Sequence, residues 1–209
     1  MNQEKTLIQY PQNLSKTKSS YDIQDFLGTK LPDHIRENFC DQHIMHKVNQ
    51  KQIMEAIDFA PPFLRIDKML IFKGESNFIG SRSIGTGILT QEDTEGHYNN
   101  TIFLAVCGRL MGESASAHIG LLFPNTAPQV VKVDHIKPIT SSDQTIWKPN
   151  KKGSSFLIET VIVRRKLHVI KVNSRISFGN LVFGIADNAT IILTPKESIY
   201  TAKELPIDY

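Results

Sequence analysis

Cysteine is scarce. Two residues, Cys40 and Cys107, in a chain of 209 exclude a disulfide framework as the basis of the fold. Cys107 lies in an apolar stretch and reads as a buried thiol; as a nucleophile it would need a base close in space, for which His97 is the candidate. Long hydrophobic runs are also missing, and none reaches the ~20 apolar residues of a membrane span. The first twenty residues, MNQEKTLIQYPQNLSKTKSS, contain no continuous apolar stretch of the secretory-signal type, so the expectation is a soluble, cytoplasmic protein. Charge of one sign does not dominate either: 24 Lys and Arg against 21 Asp and Glu leave a net +3. With no Arg-rich stripe and no interleaving of aromatic and basic residues, nucleic acid is not an expected partner. Two basic clusters stand out, KPNKKG at 148–153 and VRRK at 163–166. They read as solvated turns and strand ends, or as contacts for an anionic carrier such as an acidic protein or the phosphates of coenzyme A.

A metal site lacks support as well. Cys40, His43 and His46 in CDQHIMH have neither the paired spacing of a structural zinc site nor an evident fourth ligand. No metal is expected, and no cofactor is called for.

What is present is a globular composition, with 40% apolar and 22% charged residues, enough for a sizeable core. Residues 1–20 are polar and read as a flexible arm. SSYDIQDFL and NQKQIMEAIDFA carry helical signals, with Ile53, Ala56 and Ile57 at i, i+3, i+4. The pair Pro61-Pro62 ends helical structure. FLRIDKMLIFKG and SNFIGSRSI read as strands around a turn at KGES, and GTGILTQEDTEG as a loop. TIFLAVCGRLMGESASAHIGLLF is the longest apolar-periodic segment and reads as a helix ended by Pro124. QVVKVDHIKPI, SSFLIETVIVRRK, LHVIKVNSRISF and NLVFGIADNATIILTP follow as strands, with a tight hairpin at FGN. The long helix is apolar nearly all round (Phe103, Leu104, Val106, Leu110, Met111, Ile119), so it is expected to be covered on most sides. The fold class is therefore α+β, one buried helix against a mostly antiparallel sheet. The expected organisation is an N-terminal extension over 1–55, a main domain over 56–195 and a tail over 196–209.

Five segments resemble, in order and spacing, the bacterial 3-hydroxyacyl-acyl-carrier-protein dehydratases of the hot-dog fold. They are PPFLRIDKMLIF (61–72), Gly96-His97, the long helix, KVDHIKPITSSD (132–143) and VRRKLHVIKVNSRISFGN (163–180). The resemblance implies a long central helix wrapped by a curved antiparallel sheet, a homodimer, and a thioester substrate carried by acyl carrier protein or coenzyme A. It also implies that His97 is the catalytic base, ahead of a helix whose first turn, about Ile102 to Val106, offers backbone N–H donors to the thioester carbonyl. Dehydration needs an acid too, and a carboxyl kept protonated in an apolar setting can serve.

Glu113 is the candidate acid. It lies two residues beyond Met111, which occupies the family's acid position by ungapped counting, and so ~200° further round the helix. It acts as the acid only if the loop at 98–102 rotates the helix; otherwise it pairs with Arg109 at i, i+4. The family's Gly-His-Phe-Pro-Gly stretch is here GHYNNTIFLAV, without proline. That segment is also similar to the GHFN…C stretch of mycobacterial type III fatty-acyl thioesterases, whose relatives are linked to conjugate addition to enoyl thioesters. In that reading Asn99 or Asn100 holds the thioester or a water, and Tyr98 positions it. Phe103 and Val106 are expected to line the acyl chain in either case. Three functions follow: a dehydratase or hydratase, a thioesterase or conjugate-addition enzyme, and a non-catalytic acyl-binding protein. His118, five residues past Glu113, reads as structural.

Overall fold

The computed structural model describes residues 20–39, 44–57, 64–75, 78–89, 100–138 and 154–196. Eight strands form one sheet in the order β1-β2-β3-β6-β7-β8-β4, with β5 also paired to β8. All the pairings are antiparallel. The strands are β1 (Ile44–Asn49), β2 (Ile66–Phe72), β3 (Arg82–Leu89), β4 (Thr126–Lys132), β5 (His135–Pro138), β6 (Ser154–Lys166), β7 (Val169–Phe178) and β8 (Leu181–Pro195). Helices are α1 (Ser20–Leu27), α2 (Asp33–Phe39), α3 (Gln50–Ile57) and α4 (Asn100–Leu122). The sheet wraps α4, which is the hot-dog arrangement expected from the sequence.

At 23 residues, α4 runs roughly 34 Å. It packs into the main core with Cys107, Leu110, Met111, Ala117 and Leu121 against Ile66, Met69, Phe156, Ile158 and Ile176. A second cluster continues the contact at its C-terminal half, where Ala115 and Ile119 meet Ile162, Ile170, Val172 and Ile191. GTGIL, expected as loop, is instead the second half of β3. At Gly87 the helix is close: a Cβ there would lie 3.1 Å from Leu110 Cδ2 and 3.2 Å from Ile158 Cδ1. Composition signalled a turn in this segment, whereas at Gly87 the physical demand is for bare backbone under a helix.

The N-terminal helices cover the other face of the sheet. Ile23, Leu27, Leu31, Ile35 and Phe39 of the α1–α2 segment pack on Ile44, Leu70, Phe72, Ile84 and Leu157. Leu70, Phe72, Ile84 and Leu157 all lie on the side away from α4, since side chains alternate along each strand. Gly28, at φ 70°, ends α1 by donating its N–H to Gln24 O at 2.8 Å, a conformation glycine takes without strain. β1 feeds straight into α3 through a reciprocal cap. Gln52 N–H donates to Asn49 Oδ1 at 3.1 Å, and Asn49 N–H to Gln52 Oε1 at 3.0 Å; the two bonds satisfy donors that a helix start leaves open.

β4 and β5 run as one interrupted strand along β8, from Thr126 opposite Pro195 to Pro138 opposite Gly184. The interruption at Val133-Asp134 faces an irregularity in β8, where Asn188 adopts φ 52°. Side chains hold this place together. Asn188 N–H donates to Asn173 Oδ1 at 2.9 Å, and Lys171 Nζ donates to Thr190 Oγ1 at 2.6 Å and to Asn188 O at 3.2 Å. Lys132 and Lys171 reach Asp134 at 2.8 and 3.7 Å. Hydrogen bonding from Lys132 lowers the Asp134 carboxyl below its usual range.

Candidate functional site

The sequence directs attention to the start of α4. That helix begins at Asn100, two residues ahead of the expected turn at Ile102. Asn100 and Phe103 are both in its first turn by backbone. His97, Tyr98 and Asn99 lie outside the described residues. One turn further along, Val106 is half-buried and packs against the main core cluster.

Glu113 is described in full. Its Oε1 accepts from Arg109 Nε at 2.8 Å, the i, i+4 partner that spacing alone pointed to. Its Oε2 accepts from the backbone N–H of Arg65 at 2.9 Å, just before β2 begins. Arg65 O in turn accepts from Ile88 N–H at 3.3 Å. The carboxylate thus clasps the entry to β2 onto the central helix. The side chain is 11% exposed, against 50% for Arg109. Both oxygens work as acceptors, one from a side chain and one from the backbone. No sequence signal could find the Arg65 contact, which joins residues 48 positions apart.

Cys107 is buried, and burial pushes its thiol up to about 12. A thiol held that high stays protonated near neutrality and is a poor nucleophile. Of the histidine-cysteine group in CDQHIMH, Cys40 and His43 lie outside the described residues. His46 is half-buried on β1, and burial lowers its pKa.

Sequence reading missed a seam of hydroxyls between α4 and the sheet. Ser83, Thr160 and Ser174 stand opposite one another on β3, β6 and β7. Thr160 and Ser174 hydroxyls are 3.0 Å apart, and Ser114 on α4 approaches Thr160 at 3.5 Å. Next to this row, His118 and Ser81 meet at 2.9 Å. All of these residues are buried. On the opposite face of the sheet a recess of about 330 Å³ is lined by Phe39, Arg82, Glu159, Asn173, Arg175 and Asp187, among others. Arg82 lies over the Phe39 ring at 5.6 Å, while His34 and Arg175 approach Glu159 at 3.3 and 3.9 Å. No helix among the described residues is long and apolar enough to cross a membrane.

No family model matches the sequence, and no curated protein is significantly similar to it. Solved structures do align. The dehydratase heterocomplex ApeI:P from Xenorhabdus doucetiae aligns with a TM-score of 0.49 at 10% identity, over 73% of this chain and 97% of that one. The putative thioesterase yhdA from Lactococcus lactis aligns at 0.44 and 13% identity, over 64% and 94%. The protein smu.793 from Streptococcus mutans UA159, bound to acetyl CoA, aligns at 0.40 and 14% identity, over 66% and 94%. At such scores the likenesses carry no argument about chemistry, and the fold assignment rests on this chain's own topology.

Proposed function

We propose that this chain is a cytoplasmic enzyme acting on acyl thioesters, a 3-hydroxyacyl-thioester dehydratase or the hydratase that runs the reverse reaction. The observation that carries the reading is the placement of α4. It is wrapped by the sheet and begins at Asn100, three residues after His97. A helix start supplies backbone N–H donors and a favourable dipole for a thioester carbonyl. An imidazole titrating near neutrality is suited to remove the α-proton of a bound acyl chain. Tyr98, Asn99 and Asn100 are assigned to the thioester end of the substrate, and Phe103 and Val106 to the acyl chain.

The carrier is an acyl carrier protein or coenzyme A. The working unit in this reading is a homodimer. The β4–β5 rim of the sheet supports that, because its backbone is unpaired among the described residues on one side and it exposes Val131 at 52% along with Val130 and Ile136. Such a rim is a natural place for a second copy to add its own.

Glu113 enters as the acid only if Arg109 withdraws from it. Its engagement by two donors favours, as a second reading, a thioesterase or conjugate-addition enzyme, which needs no such acid and in which Asn99 or Asn100 holds the thioester or water.

The test is incubation of the purified protein with 3-hydroxyacyl, enoyl and saturated acyl thioesters, with products read by mass spectrometry. Loss or gain of water supports the first reading, and release of a free thiol the second. Tight binding without turnover would make the chain an acyl-binding protein instead. His97→Ala is expected to lower turnover at least about 100-fold, and unchanged turnover removes His97 from any mechanism. In Glu113→Gln, a comparable loss at unchanged Tm identifies an acid, whereas retained turnover with a lowered Tm identifies the clasp.

A further inference from the structure

On the face of the sheet away from α4, the α1–α2 layer packs on Leu70, Phe72, Ile84 and Leu157. Beside that cover lies the recess of about 330 Å³, a volume of the order of small-molecule sites. Strand register accounts for its lining. Arg82, Val161 and Asn173 stand abreast on β3, β6 and β7. Glu159, Arg175 and Ile185 stand abreast on β6, β7 and β8. The row of Ser83, Thr160 and Ser174 between them faces α4, so by alternation these two rows face the other way. Phe39, the last residue of α2, forms one wall. All of the lining residues are buried or half-buried.

Donors in this recess outnumber the acceptors that reach them. Arg82 lies over the Phe39 ring at 5.6 Å, a contact that leaves its N–H groups without an acceptor. Its side chain has no hydrogen bond or ion pair among the described residues. Asn173 Oδ1 accepts from Asn188 N–H at 2.9 Å, which fixes the amide and leaves its NH2 unpartnered among the described residues. Arg175 comes no nearer to Glu159 than 3.9 Å, too long for a hydrogen bond. His34 approaches Glu159 at 3.3 Å, and Lys137 approaches Asp187 at 3.8 Å. Leaving His34 aside, three cations (Arg82, Arg175 and Lys137) stand against two carboxylates, Glu159 and Asp187. The excess is one positive charge, and it sits at Arg82. Half-buried donors without acceptors cost stability that a bound acceptor would restore.

We propose that this recess binds a small monocarboxylate with a compact apolar body, such as a branched-chain or aromatic acid. The carboxylate takes the Arg82 guanidinium from one side and the Asn173 NH2 from the other. Those residues flank Val161 with their backbones roughly 10 Å apart, two strand spacings, a gap the size of a small acid. The apolar body rests on Val161, Ile185 and Phe39. A planar carboxylate matches the guanidinium fork. Its single negative charge balances the single excess cation, whereas a doubly charged phosphate would stand uncompensated beside Glu159 and Asp187. The site and α4 are on opposite sides of the sheet, so the proposal does not depend on the thioester reading.

The test uses the full chain with benzoate and 3-methylbutanoate as probes, benzamide as the neutral counterpart and inorganic phosphate as the other anion. Both acids are expected to give saturation transfer in ligand-observed NMR and to raise Tm with concentration, and benzamide and phosphate to do neither. Arg82→Met keeps an unbranched side chain against Phe39 and removes the charge; it is expected to weaken binding of the acids at least about tenfold. Val161→Phe fills the recess and should weaken binding by a similar factor with Arg82 in place. Either variant decides alone should the other fail to fold. No binding of the acids, equal binding of benzamide or phosphate, or unchanged binding in a folded variant overturns the proposal. Displacement of the acids by an acyl thioester would place them at the start of α4 and overturns it as well.

Discussion

His118 has no exposed surface, and its protonation state follows from its neighbours. The Ser81 hydroxyl donates to Phe72 O at 3.0 Å, so its oxygen is left to accept from His118 Nε2–H at 2.9 Å. Nδ1 has no hydrogen-bond partner among the described residues. Burial, then the nearby His46, lowers the pKa from 6.5 to about 3. As pH falls below 6.5 the unfolded chain takes up a proton at this residue that the folded chain refuses until about pH 3. This contribution to stability is thus complete above that window and shrinks through it, by up to about 1.4 kcal/mol per pH unit. Urea unfolding of His118→Met, measured from pH 7 down to pH 4, is expected to show a shallower acid limb than the natural chain. An identical limb would mean that His118 is not the group responsible. Some slope persists in the variant, because burial lowers His46 too. At this scale the sequence was partly legible. The pairing of Glu113 with Arg109 follows from helical spacing, whereas the Arg65 and Ser81 contacts are made between elements far apart in the chain.

Between elements, glycine decides how near two backbones come. A Cβ on Gly120 would lie 2.9 Å from Ala56 O and 3.1 Å from Ile57 Cγ2, so α3 and α4 pack almost backbone to backbone there. On Gly112, the nearest atom would be Val130 Cγ2 at 3.9 Å, an ordinary contact. Gly120→Ala is expected to destabilise by about 1–3 kcal/mol through overpacking. Gly112→Ala, in the same helix, should be neutral or stabilise by up to about 1 kcal/mol, as alanine replaces glycine in a helix interior. Thermal unfolding of the two variants side by side checks the contrast, and equal Tm values would contradict it. α4, β6, β7 and β8 were readable from periodicity and from the turn residues between them. β1 was not, because IMHKVN is six residues long and its partner β2 comes only after a helix. The split into β4 and β5 was equally hidden, since it depends on the bulge in β8 and not on the local sequence.

At the scale of the molecule, the sequence specified the wrapped helix but not the layer on the far side of the sheet. SSYDIQDFL reads as an amphipathic helix; nothing in it says that its apolar stripe belongs on Leu70, Phe72, Ile84 and Leu157. Those four side chains are 2% exposed or less, and α1 and α2 are what cover them. A chain lacking residues 1–39 is expected to expose this patch, bind an anilinonaphthalene dye and aggregate. A truncated chain that stays monodisperse and dark would show that the helices are dispensable for solubility. Of the candidate site, the helix start was legible, whereas the arrangement at His97, Tyr98 and Asn99 lies outside the described residues. The second layer also limits how copies of this protein can be put together. With α1 and α2 seated behind β2, β3 and β6, sheets cannot be stacked back to back over those strands. Larger assemblies are left to grow sideways from the sheet margins, or over the part of that face on β7 and β8 that no described helix covers.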